Sequence, residues 1–539
     1  MPRPMFHWRT PRPFRSHTRL AVHAAISIGL AFAAVSAKAD DDDDAPKAAA
    51  KPAAKAPVGE PGVVIAPDGA GPAVLTLGSN GESGVFRGSF QDGKSPLSLR
   101  KIGTGTVTLI GPGKYSGGLT IDEGTVALGL DGDGSENPTA LGTGTVTLKN
   151  GASLRLGGKN GRADEDEETI PNNVQIDHGS LVGYAGTQRF TGRVTIGGGG
   201  GAFFVTHSGD ISFDGDVTGT GPISIDSDDT GAGGTIRITN DLSYMGALTI
   251  RPPSPGFSGG RISIEDPEAL NQATLVTAAG MRGVAFKPQK KPYTIGALIG
   301  TGGIDLQGCK VYAGVLATES LYSGNLTDST GDGEFAKVGS GTMTLTGAHD
   351  YTGRMGVYNG TLVITGSVTA EIKVGDPKIP LSVATLRGTG SVNDLLLQTP
   401  GAAVQPGPDA IHTGTLKARN FSMIPGSNLL VRLGGTTPGA GQAGDGSNGY
   451  DQISATGQFS LSGNLQVSLI NGFRPKRGDA FYVLVTSGPV QAVGHFGNVI
   501  GDEIETAGHR FRLTYTADHA ANNPHSMTGH DVALIALSD

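Results

Sequence analysis

Residues 101–128 read KIGTGTVTLIGPGKYSGGLTIDEGTVAL, and residues 337–364 read KVGSGTMTLTGAHDYTGRMGVYNGTLVI. The two stretches align without a gap at an offset of 236, and they share the lysine, five glycines, three threonines, a leucine and a tyrosine. Both alternate with period two. Val107 and Leu109 oppose Thr106 and Thr108, and Met343 and Leu345 oppose Thr342, Thr344 and Thr346. That is the pattern of a strand with one dry face. Threonine suits the wet face, because its β-branch favours extended backbone while its hydroxyl stays hydrated. A worn copy, GGTIRITNDLSYMGALTI at 233–250, places Arg237 at a threonine position, so that face must see water.

Working outward, Gly-Thr/Ser-Gly recurs from Gly103, Gly142, Gly219, Gly300, Gly339 and Gly388, at gaps of 39, 77, 81, 39 and 49. Short strands punctuated by glycine at this recurrence predict a parallel β-solenoid, with two coils of roughly 20 residues per unit and about 16 coils over residues 80–400. An antiparallel sandwich also has short strands and glycine turns, but gives no reason for the recurrence. The fold class expected is therefore all-β, with residues 63–400 as the solenoid and 401–539 as a β-rich cap. Asp266-Pro267-Glu268-Ala269-Leu270 carries an N-cap aspartate and a proline at the first helical position, which predicts a turn or two of helix.

Composition agrees. Glycine makes up 88 of 539 residues without a period of three, which excludes collagen. Residues 1–39 hold Arg3, Arg9, Arg12, Arg15 and Arg19, an apolar run from Leu20 to Val35, and Ala37-Lys38-Ala39, the layout of a secretory signal peptide cleaved after Ala39. With it leave six of the 41 Lys and Arg and no acid, so the net charge moves from −8 to −14. An acidic, exported product is not expected to bind nucleic acid or anionic lipid. Residues 40–62, opening on five aspartates and continuing in Ala, Pro and Lys, read as a disordered linker. Cys309 stands alone, which leaves no intrachain disulfide.

The pattern K-[IV]-G-[ST]-G-T-x-T-L…Y-[ST]-G…G-T resembles the autotransporter-associated β-strand repeat, also called the passenger-associated transport repeat. The tail is similar to the segment that closes such secreted proteins, at Phe421–Ser427, Tyr450–Ile453, Leu461–Leu469, Gly478–Leu484 and Asp531–Leu534. The resemblance implies a right-handed parallel β-helix, secreted or at the cell surface, with a structural or adhesive, non-enzymatic role. The partners it implies are extracellular polysaccharide or cell-surface and matrix components. The periplasm is the alternative location. No translocator barrel follows the tail, so export machinery supplied by another protein is expected rather than self-transport.

Chemistry is sparse. Polysaccharide hydrolysis or lysis, the alternative function, needs paired carboxylates on adjacent coils. Asp226, Asp228 and Asp229, beside Asp214 and Asp216, are the densest candidates, yet they sit in the glycine-rich DSDDTGAGG and read as a solvated turn. His207-Ser208-Gly209-Asp210 is too cramped for a triad. Asp131, Asp133 and Ser135 begin a calcium-loop spacing, but Glu136 and Gly142 break it. The histidines at 495, 509, 519, 525 and 530 fit no ligand spacing. Tyr115, Tyr244 and Tyr351 recur at one place in the three copies and read as corner aromatics. No cofactor and no catalytic residue is expected.

Overall fold

The computed structural model describes residues 62–66, 72–129, 137–157, 167–227, 234–240, 243–252, 259–278, 283–379, 382–439, 449–488 and 492–539. Ala25–Ile26 is also described and lies parallel to Val74–Leu75. The cleavage site at Ala39, most of the linker, the calcium candidates Asp131, Asp133 and Ser135, and Asp228 and Asp229 lie outside the described residues.

The chain winds as a parallel β-solenoid with three faces per coil. Leu97–Lys101, Thr106–Leu109 and Gly113–Lys114 make one coil, and the strands of each face pair in parallel with those of the neighbouring coils. The second face alone stacks about fourteen turns between Gly84–Phe86 and Ala384–Gly388. At ~4.8 Å per rung that makes a rod on the order of 60 Å long.

Inward side chains stack in columns because register keeps like above like. On the first face, Leu75, Leu99, Leu119, Val146, Val174, Val194 and Val217 follow one another in register, all buried. Outward positions carry threonine, serine and charge: Thr342 and Thr344 are partly exposed where Met343 and Leu345 are fully buried. The alternation read from the sequence therefore sorts residues 342–345 to the correct sides, whereas in Thr106–Leu109 it is blurred, Thr108 being buried and Val107 only partly so.

Coil length departs from the expectation. Lys101 is the register partner of Ile121, and Lys337 that of Val357, which are short coils. Val146 instead pairs with Val174, on a coil longer by more than a third. Thirteen steps carry the second face from Gly84 to Ala384, an average of about 23 per coil. The glycine recurrence of 39 is not two coils. Gly103 and Gly339 follow first-face strands, Gly219 ends one, Gly300 and Gly388 end second-face strands, and Gly142 closes a 3-10 turn on the third face. All three corners require close approach of successive coils, so the same residues appear at each, and variable loops spoil the period. The worn copy at 233–250 is likewise one face out of phase: Ile236–Ile238 is a third-face strand, whereas Thr106–Leu109 belongs to the second.

Among the described residues, helix is nearly absent. Asp266–Ala269 forms a turn, with Asp266 accepting from Glu268 N, and runs directly into the strand Leu270–Thr277. The 3-10 helix instead occupies Pro138–Leu141, capped by Asn137 with proline behind it. The same cap chemistry is used, at a site where a third-face strand is replaced.

Parallel pairing passes residue 400 and continues through Phe421↔Phe459 and Asn428↔Asn464 to Leu461↔Gly494. Antiparallel strands Asp531–Ala536, His509–Ala517 and Glu503–Thr506 then extend the third face. On the last second-face strand, the Asn498 amide accepts from Leu465 N at 2.9 Å and donates to Leu465 O at 2.8 Å, standing in for a further strand.

Candidate functional site

The repeat's marker residues build corners rather than a site. Lys101 stands in an inward column between Leu77 and Ile121 and is fully buried. Its Nζ donates to the carbonyls of Ile102 (2.9 Å), Gly103 (2.6 Å) and Glu123 (3.1 Å), the last on the next coil. Lys337 repeats this with Val338 (2.6 Å), Gly339 (2.7 Å) and Asn359 (3.2 Å). Burial lowers both ammonium pKa values, that of Lys337 to about 8. The glycine two residues on is dictated by the same corner. Gly103 and Gly339 adopt φ of 72° and 71°, and a Cβ on Gly103 would come within 2.5 Å of Gly78 O on the preceding coil.

The tyrosines are buried too. Tyr115 donates to Ala140 O at 3.2 Å, Tyr244 to Gly221 O at 2.7 Å and Ala247 O at 3.0 Å, and Tyr351 to Arg354 O at 3.3 Å. Tyr115 and Tyr351 share the corner after the third face, whereas Tyr244 ends a first-face strand. Sequence reasoning missed a fourth, Tyr322, in the like-patterned Tyr322-Ser-Gly-Asn, which donates to Gly302 O (2.7 Å) and Asn325 O (3.2 Å). It also missed His349, which is buried and accepts from Leu326 N through Nδ1 at 3.2 Å. Burial lowers its pKa to about 4.

Among the described residues, the carboxylate candidates do not converge. Asp226 lies on the second face, in register with Phe204. Asp214 and Asp216 sit beyond the third-face strand Asp210–Phe213, and each is tied to an arginine, Arg189 and Arg193 respectively. Burial pushes the Asp214 carboxyl up, but hydrogen bonds from Thr239, Arg189 and Ser212 together outweigh it and hold the pKa below the usual range. A carboxylate pinned in its ionised form makes a poor general acid. Asp210 is bound to Arg237 at 2.6 Å and His207 bonds Thr206 Oγ1 at 2.8 Å, so His207–Asp210 is a turn and not a triad. Cys309 is buried, and burial raises its thiol pKa, as befits an inert core residue. Among the described residues no group of three or more His, Cys, Asp or Glu is placed to hold a metal.

Outer polar faces are cross-linked along the axis. On the third face, Arg189 joins Glu167 to Asp214, and Arg237 joins Asp210 to Glu265, which Lys287 also holds at 2.8 Å. On the first face, Lys310, Glu334, Arg354 and Glu371 follow one another in register with alternating charge.

Among the described residues, a shallow, open depression lies on this surface. On the second face, a groove of about 750 Å³ runs across four rungs whose outward residues, Ser180, Ala202, Ser224 and Thr249, are register neighbours. Asn150, His178, Pro222 and Arg251 rise along it. No sequence motif announced the groove, because its members lie on four successive coils and align only once the coil lengths are known.

These features define a class: a parallel β-solenoid whose repeated residues serve the scaffold and whose outward faces are available for contact. Comparison with known proteins narrows it. The passenger-associated-transport-repeat family profile matches residues 99–128 and 335–364, the two coils in which the buried lysine, the φ-positive glycine and the corner tyrosine occur together. The chain carries passenger-associated transport repeats. It is also similar to the adhesin BmaC autotransporter of Brucella suis biovar 1 (strain 1330), at 26% identity over 283 residues, covering 51% of this chain and 7% of that protein. The chain thus spans a small fraction of that relative's length.

Proposed function

We propose that this chain is a non-enzymatic adhesive protein of the passenger type, exported and displayed at the cell surface, whose solenoid presents a contact face. The observation that carries the reading is the similarity, over half of the chain, to a protein described as an adhesin autotransporter, together with the repeats. The ion-paired carboxylates support it, since Asp210, Asp214 and Asp216 are each committed to an arginine. The antiparallel strands of residues 503–536 serve as an end cap that keeps the rod from pairing edge to edge.

The test is a pair of measurements on the purified chain. Beads coated with it are expected to adhere to a panel of eukaryotic cells, bacterial cells and extracellular matrix above albumin-coated beads, and a polysaccharide panel is expected to release no reducing ends or unsaturated products. Absent adhesion together with released product would overturn the reading in favour of a carbohydrate-active enzyme.

A further inference from the structure

The second-face groove gathers several polar groups that make no bond to the rest of the protein, as other outward residues such as Thr342 and Arg512 also do. Among the described residues, the hydroxyls of Ser180, Ser224 and Thr249 make no hydrogen bond, and the Arg251 guanidinium makes neither hydrogen bond nor ion pair. Elsewhere on the rod, Arg189, Arg193, Arg237 and Arg354 each face a carboxylate. Asp177, beside the lining residue His178, is occupied by Gly199 N at 2.8 Å and by His178 at 3.6 Å.

We propose that this groove binds an acidic oligosaccharide laid along the rod axis, with a sugar carboxylate on Arg251 and sugar hydroxyls on the serine and threonine floor. The proposal rests on the adhesive reading and names the ligand class of its contact face. Four rungs at ~4.8 Å span about 14 Å, the length of a short oligosaccharide, and the volume of about 750 Å³ falls within the range of small-ligand sites. Serine and threonine hydroxyls both donate and accept, which matches a ligand that offers hydroxyls at every step. Arg251 supplies a fork suited to a carboxylate. At physiological salt the screening length is ~8 Å, so this local cation acts on the ligand in spite of the chain's net negative charge.

A peptide fits less well. Strand addition needs a free sheet edge, and these strands are paired on both sides.

The experiment is calorimetric titration of the full chain with oligogalacturonate, oligomannuronate and hyaluronan fragments, with neutral maltohexaose and an extended peptide as comparisons. At least one acidic sugar is expected to bind more tightly than both comparisons. R251A is expected to weaken that sugar roughly tenfold while leaving maltohexaose unchanged. S224F, an outward substitution that fills the groove, is expected to abolish binding, whereas T361F, outward on a distant coil of the same face, is expected to leave it intact; circular dichroism verifies that all three fold. The proposal is overturned if none of the three acidic sugars binds, if S224F binds as well as wild type, or if the peptide binds best. Bead adhesion measured in parallel separates the two levels. Adhesion that survives a negative sugar result sinks the groove assignment alone, and loss of both sinks the adhesive reading with it.

Discussion

At the scale of single residues, the repeat owes its identity to three groups that solve one problem, the corner. An inward lysine is costly to bury, yet its three donors reach three carbonyls that the turn leaves without strand partners. Lys337→Met keeps the volume and removes the donors. It is expected to destabilise the protein by about 1–3 kcal/mol, read as a lower midpoint in urea. Gly339→Ala forces a side chain into left-handed backbone and against Gly314 O of the coil before. A loss of at least ~1 kcal/mol is expected, and an unchanged midpoint would show that the corner can relax. His349 gives a pH signature. Its folded pKa, about 4, lies below the ordinary 6.5, so between these values the unfolded chain holds more protons than the folded one. Its contribution is fully present above pH 6.5 and is lost as pH falls toward 4. Wild type should therefore lose on the order of 2 kcal/mol relative to His349→Asn between pH 7 and pH 4, in matched thermal melts. An identical pH dependence in the two proteins would place the acid sensitivity elsewhere. The corner places of the glycine and the tyrosine were legible in the sequence, and the roles of the lysine and the histidine were not. A lysine in a strand reads as a solvated residue, and a lone histidine gives no sign that it accepts from a backbone N–H on the previous coil.

At the scale of elements, the strands were readable and their phasing was not. Alternation assigns Met343 and Leu345 inward and Thr342 and Thr344 outward, because only strand geometry and burial enter that inference. Which strand stacks on which depends on loop length. The coil from Lys101 to Ile121 is much shorter than the one from Val146 to Val174, and glycine marks all three corners alike. The groove was hidden for the same reason, since Ser180, Ala202, Ser224 and Thr249 become neighbours only through register. A second element-level device lies where the loop after Ala403–Pro406 is folded in. Arg432, 3% exposed, holds the fully buried Asp451 and also donates to the carbonyls of Pro406, Asp409 and His412. Arg432→Ala leaves the buried Asp451 without its cation, and a cost of about 3–5 kcal/mol is expected in chemical unfolding. A change below ~1 kcal/mol would mean that the pair behaves as a surface bridge.

At the scale of the whole molecule, the described residues pack their apolar side chains chiefly into one column wrapped by three sheets, parallel except at the C-terminal end of the third face. A coil contacts chiefly its neighbours, so the rod tolerates coils of different length and can carry outward substitutions without refolding. That separation of scaffold from surface is what the adhesive reading requires. It also explains why the sequence discloses architecture so much more readily than ligand: corner residues recur, whereas surface residues have no reason to. The most direct test of this account is engineered cross-linking of register partners. Thr342 and Thr361 sit opposite each other on consecutive coils of the second face, both outward. In the T342C/T361C protein, mild oxidation should form an intramolecular disulfide at high yield with the β-rich circular dichroism retained. A control pair on different faces, T342C/R354C, should remain reduced. Failure of the first pair to cross-link in the folded protein, or equal cross-linking of the control, would contradict the coil register on which the solenoid, its corners and its groove all depend.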